Sequence, residues 1–213
     1  MTDQSDNGLI KLWPTSLMQR QLPGCEKPNE LLQQLIEKMD ADTDNLTTRY
    51  RDADFLHGSH PATKWLLQCI NKTVVDYLHA HHQRYQSEWQ VQSWPNINRF
   101  GDYHDLHNHP HSYLSGTYYV SIPVASDNLP GRDDRRPGAI SFYDPRPQAN
   151  MNAVAGDPQI EAEYTVQPTD GMLLLWPSFL HHFVHPNLSQ QPRISISFNV
   201  VLKWSDALLP TQS

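Results

Sequence analysis

The sequence predicts an α+β domain in which N-terminal helices pack outside a sandwich or jelly roll of short strands. Three observations point there. Helical periodicity appears in the first 85 residues, while alternating or β-branched segments bounded by turn residues fill most of the remaining chain. Seventeen prolines against nine glycines disfavour an all-helical bundle. Helices first and strands afterwards is the order of the α+β class. The 213 residues suit a single domain, with 1–85 as a helical part and 88–203 as the strand-built core.

Along the chain, residues 9–18 read as a strand interrupted by Pro14. Leu31, Leu32, Leu35, Ile36 and Met39 recur at helical spacing and predict a helix over 28–41. A connection leads to Ser59, which can cap a second helix running from Pro61 to about Tyr85. Leu66, Ile70, Val74, Tyr77 and Leu78 form its apolar face. Strands are expected at 88–93, 96–101, 105–109, 115–123, 138–143, 161–166, 171–176, 179–185 and 193–203. Two long polar segments, 125–137 and 145–160, read as lids or binding loops.

The formal charge of −7, with no basic block, argues against nucleic acid and anionic membranes as partners. No apolar run reaches the ~20 residues needed to span a bilayer, and the N-terminus lacks the pattern of a secretion signal. Cys25 and Cys69 form no framework, so a cytoplasmic location is expected. The unusual feature is histidine: there are twelve, and more than half fall in two short stretches.

The first stretch runs from His104 to His111. On a strand, His107 and His109 share one face, roughly 6–7 Å apart, which suits two ligands of one metal ion. The ordinary reading is a histidine-rich surface loop. The second stretch, Phe179 to His185, places His182 among apolar residues, where a neutral imidazole needs a carbonyl or a metal as partner. The third feature is the strand from Arg193 to Val200. Ile194, Ile196, Phe198 and Val200 line one face, and Arg193, Ser195, Ser197 and Asn199 the other. That polar row is either a solvent face or the inner wall of a barrel. On an inner wall, Arg193 can clamp a carboxylate and Ser195 can add a hydroxyl. Trp89 and Trp94 are expected in the core, and Asn96 and Asn98 as ordinary satisfied strand or turn groups. His79, His81 and His82 sit at a helix end without a site role.

Together these features carry a resemblance. The segments 93–110, 114–123, 138–146, 171–187 and 193–200 resemble the Fe(II)/2-oxoglutarate-dependent oxygenases, and within them a family of bacterial and phage proteins. The resemblance implies a double-stranded β-helix, a cupin-like jelly roll. It puts His107, His109 and His182 on the metal positions, Arg193 and Ser195 on the far carboxylate of 2-oxoglutarate, and Tyr119, rather than Tyr118, beside it. The implied activity is a dioxygenase that takes dioxygen, iron(II) and 2-oxoglutarate and hydroxylates a small molecule or a peptide. An exposed sheet edge would leave room for a homodimer. One departure stands out. The superfamily usually has a carboxylate where this chain has His109, and three neutral imidazoles also suit zinc. The alternative is therefore a cupin-like three-histidine metalloprotein, zinc or iron, that does not use 2-oxoglutarate.

Overall fold

The computed structural model describes residues 14–42, 54–82, 87–123, 135–146 and 161–203. Half of the strand expected at 9–18, and most of both long loops, lie outside these residues. Strand β1 (Met18–Gln21) leads into helix α1 (Glu26–Asp42), a short 3-10 turn (Phe55–His57) and helix α2 (Pro61–Ala80). Eight strands come next: β2 (Glu88–Asn98), β3 (His104–His107), β4 (Leu114–Ser121), β5 (Ile140–Tyr143), β6 (Glu163–Val166), β7 (Met172–Pro177), β8 (His182–Val184) and β9 (Arg193–Lys203). They form a five-stranded sheet, β1-β7-β4-β9-β2, and a four-stranded sheet, β3-β8-β5-β6. All pairings within both sheets are antiparallel.

Alternation along the strands divides the interior in two. Ile194, Ile196, Phe198 and Val200 of β9, with Leu173 and Leu175 of β7, point away from the smaller sheet. They pack against Leu32 and Ile36 of α1 and Leu66, Ile70 and Val74 of α2. The opposite faces, including Tyr119, Leu174 and Trp176, meet Ile140, Phe142 and Val184 of the smaller sheet. Because the larger sheet is covered on both sides, β7 reads as an unbroken apolar run rather than an alternating one. The Tyr118 hydroxyl donates to Asn29 Oδ1 at 2.5 Å and ties α1 to this sheet through a buried hydrogen bond.

Several boundaries differ from the sequence reading, each for a physical reason. The two strands expected at 88–93 and 96–101 are one, β2, running through Pro95. Its edge position lets it tolerate the missing amide proton, since β9 is its one strand neighbour and its other side carries, among the described residues, a single bridge from Ser93 to Asp54. The cap of α2 is His60, not Ser59: the His60 side chain accepts from the Ala62 amide at 3.2 Å. Residues 178–181 turn before β8 begins, with the Leu180 amide donating to Pro177 O. β3 ends at His107, so His109 lies beyond the ladder.

Gly116 in β4 illustrates how tightly the larger sheet packs. A Cβ there would fall 2.2 Å from the Phe198 ring and 2.5 Å from Leu174 O. Gly116→Ala is expected to destabilise the fold by about 1–3 kcal/mol, through overpacking against backbone that cannot retreat. Denaturant unfolding measures this, and an unchanged midpoint would refute the close approach.

Candidate metal centre

The strand register lays the inner faces out in rows. On the larger sheet Arg193 stands opposite Asn98. The next row holds Asn96, Ser195 and Tyr119, then Trp94, Ser197 and Thr117, then Gln92, Asn199 and Ser115. On the smaller sheet His107, His182 and Phe142 make one row, and His104, Val184 and Ile140 the next. Two contacts align the sheets. A Cβ on Gly138, just ahead of β5, would lie 3.7 Å from Arg193 Cδ. The His109 ring centroid lies 6.0 Å from that of Trp94. Between the sheets is a cavity of about 870 Å³ into which the three histidines and Arg193 all face.

His107, His109 and His182 converge. Each brings a ring nitrogen to within 4.8 Å of the others, and no other such group occurs among the described residues. His107 and His182 are placed by register, because they are cross-strand partners on β3 and β8. His109 is placed by its backbone: its amide donates to Ser178 O at 3.0 Å, ahead of a turn in which His111 takes a φ of 72°. Nδ1 of His107 lies 2.5 Å from Asp105 O, and Nδ1 of His182 lies 3.0 Å from Leu180 O. A carbonyl can only accept, so both Nδ1 atoms carry the proton and both Nε2 atoms present a bare lone pair. That is the arrangement in which an outer hydrogen bond orients an imidazole for a metal.

The electrostatics favour the same state. Burial pushes His182 down to about 3, helped by the neighbouring His107 and opposed by its bond to Leu180 O. Burial and His107 push His109 down to about 4. His104 is also pushed down to about 4, by burial first and then by the charge of Arg193. These imidazoles are neutral at pH 7 and need lose no proton to bind a cation.

Arg193 shows the opposite need. It is 2% exposed, and burial pulls its pKa below the usual value. Its Nη1 donates to Asn98 Oδ1 at 3.1 Å, its Cζ lies 5.1 Å from the centre of the Tyr119 ring, and its Nε has no hydrogen-bond partner. No carboxylate faces it among the described residues lining the cavity. Among the described residues the Tyr119 hydroxyl likewise meets no hydrogen-bond partner, and burial pushes the phenol up to about 12 against the opposing pull of Arg193. A buried cation beside unused donors fits an anionic ligand, and three neutral nitrogen donors fit a divalent cation. By this test the residues present suit both iron(II) and a dicarboxylate.

Some members of this cavity escape a reading of the sequence. Trp94 lines it instead of packing in the core, and Asn96 lines it with Oδ1 unpaired. Reading Pro95 as a strand break hides the continuous inward face of Gln92, Trp94 and Asn96. Strict alternation hides His104, because it would turn that side chain away from His107. An irregularity in the β3–β8 register returns it to the cavity side. The indole N–H of Trp176, buried and unpartnered, lines the cavity as well. His181 is exposed, and His185 bonds to Ser141 Oγ at 2.7 Å, away from the metal cluster.

These shifts make stability depend on pH. In the unfolded chain these histidines take up protons near 6.5, whereas in the fold His104 and His109 do so near 4 and His182 near 3. Between those limits the unfolded state binds more protons, so stability rises with pH. The denaturation midpoint of metal-free protein should hold above pH 6.5 and decline progressively toward pH 4. A midpoint that stays flat across that window would contradict the buried neutral imidazoles.

Comparison with known proteins agrees with this geometry. Residues 92–199 match a family model described as "Putative 2OG-Fe(II) oxygenase". No curated protein sequence matches. Among solved structures, a Pseudomonas putida prolyl-4-hydroxylase is similar at a TM-score of 0.58 and 14% identity, covering 89% of each chain. A Trichoplax adhaerens prolyl hydroxylase, in complex with a hypoxia inducible factor peptide fragment, gives 0.58 and 15%, covering 88% of this chain and 83% of the other. HygX from Streptomyces hygroscopicus, with nickel and 2-oxoglutarate bound, gives 0.52 and 14%, covering 88% and 82%. At these identities the likeness shows the fold, a double-stranded β-helix with helices at its N-terminal end. The family match spans more than half of the chain, which therefore belongs to the 2OG-Fe(II) oxygenase family that this model describes.

Proposed function

We propose that His107, His109 and His182 hold the iron of this oxygenase, and that Arg193, Ser195 and Tyr119 hold the far carboxylate of 2-oxoglutarate. One observation carries the reading: a buried guanidinium with no counter-anion among the described residues shares a cavity with three imidazoles, two of which have Nε2 lone pairs bared by carbonyl bonds at Nδ1. A three-histidine site gives the ion no negative charge. A dianionic cosubstrate would supply it, which favours 2-oxoglutarate over a zinc site without one. Bound iron(II) supplies the dioxygen chemistry by which 2-oxoglutarate goes to succinate and carbon dioxide while a C–H bond is hydroxylated.

The protein's contribution is placement. Arg193 offers a planar fork to one carboxylate, and the hydroxyls of Tyr119 and Ser195 add neutral donors from the next row. Val184 and Ile140 of the smaller sheet wall the channel with apolar surface that keeps water out. Beyond the histidines, away from Arg193, lies the row of Gln92 and Asn199, with Trp94 beside it. We assign the substrate to this end. It offers carboxamides and an indole and, among the described residues, no formal charge. A small molecule or a peptide fits such a lining, and the Trichoplax relative binds a peptide. We place the enzyme in the cytoplasm, where thiols such as the unpaired Cys25 and Cys69 persist.

The expected activity is succinate formation from 2-oxoglutarate, dependent on Fe(II), measured with and without candidate substrates. Absence of both coupled and uncoupled turnover in iron-loaded protein would count against the reading. Arg193→Ala should keep its metal yet bind 2-oxoglutarate more weakly by about 2–5 kcal/mol, since it strips the buried partner of a charged group. Calorimetric titration checks this, and wild-type affinity in the variant would place the carboxylate elsewhere.

A further inference from the structure

The cavity holds a fourth inward histidine, His104, that the three-ligand cluster does not use. Its ring centroid is 6.4 Å from that of His107, and it is not among the three residues whose ligand atoms converge. Its Nε2 is buried without a hydrogen-bond partner among the described residues, whereas His107 and His182 both have a carbonyl at Nδ1. The other members of its row, Val184 and Ile140, are apolar and offer it nothing. A buried imidazole nitrogen that the protein itself leaves unpaired is suited to a ligand atom.

The row in which it stands decides which ligand. Passing from the metal cluster toward Arg193, the smaller sheet presents the row of His107, His182 and Phe142, then that of His104, Val184 and Ile140, then Gly138 beside Arg193. His104 thus lies between the two anchor points assigned to 2-oxoglutarate, and this inference rests on that assignment. The far carboxylate is served from the larger sheet by Arg193, Ser195 and Tyr119. His104 reaches the cavity from the opposite sheet, on the strand that carries His107. We propose that His104 is a cosubstrate-binding residue whose Nε2–H donates a hydrogen bond to the carboxylate at the keto-acid end of 2-oxoglutarate. This gives that carboxylate a neutral protein donor, which 4-oxopentanoate, with a methyl group in place of that carboxylate, would not engage.

The test is anaerobic calorimetry on nickel-loaded protein, titrated with 2-oxoglutarate and, separately, with 4-oxopentanoate. His104→Leu should bind 2-oxoglutarate about ten- to a hundredfold more weakly, the range for losing one hydrogen bond to a charged group. His104→Gln, whose amide nitrogen can stand near the position of Nε2, should stay within about threefold of wild type. Binding of 4-oxopentanoate, nickel stoichiometry and melting temperature should be unchanged in both variants. Wild-type affinity in His104→Leu would overturn the proposal, as would equal losses in the Leu and Gln variants or a parallel loss of 4-oxopentanoate binding. Loss of nickel from His104→Leu would make the residue a metal ligand and overturn it too. Failure of the nickel-loaded wild type to bind 2-oxoglutarate would instead refute the underlying assignment.

Discussion

Arg193 sits in the cavity between the sheets with one side-chain acceptor, Asn98 Oδ1, and no carboxylate facing it among the described residues. Removing a guanidinium from water costs several kcal/mol unless other groups replace its hydration. A fold that keeps such a charge at 2% exposure must recover the cost elsewhere, and the structure shows where. The larger sheet is packed against two helices on its other face, so the cavity face need not supply all of its stability. On the proposed reading the charge is held ready for an anion, and the Tyr119 hydroxyl beside it, without a partner among the described residues, serves the same end.

On the proposed reading the three-histidine cluster obeys a complementary constraint. Its nitrogens come from a strand pair and from the segment after β3, and carbonyl oxygens of Asp105 and Leu180 fix the protonated nitrogen on two of the three rings. Each sheet therefore carries half of the chemistry. The smaller presents lone pairs for a cation, and the larger presents donors for an anion. A ligand that chelates at one end and carries a carboxylate at the other bridges them. With no acid in the triad, occupation of the two ends should be strongly coupled, because each charge compensates the other.

How much of this is legible in the sequence depends on the kind of signal. Local periodicity carries α1, α2 and the strong alternation of β9, so the polar row of Arg193, Ser195, Ser197 and Asn199 can be named from residues alone, though not the side it faces. The convergence of His107 with His182 cannot be read from either stretch, because it is made by cross-strand pairing between segments far apart in the chain. Only the resemblance to a family brings those two stretches together without coordinates. Sequence readings fail where a local rule meets a tertiary exception. Pro95 continues a strand because that strand is at an edge, and a register irregularity turns His104 inward. His109 reaches its neighbours by a loop anchored on Ser178 O rather than by strand alternation. Size alone sends Trp94 to the core, and size cannot distinguish a buried wall from a cavity wall.

The most direct test of the central claim is a crystal structure of the protein loaded with iron(II) and 2-oxoglutarate without oxygen, with anomalous data collected at the iron edge. The account predicts a single iron peak within bonding distance of His107, His109 and His182, and a carboxylate of the same ligand molecule paired with the Arg193 guanidinium. Iron bound away from these three rings, or a ligand whose carboxylates both leave Arg193 unpaired, would contradict it.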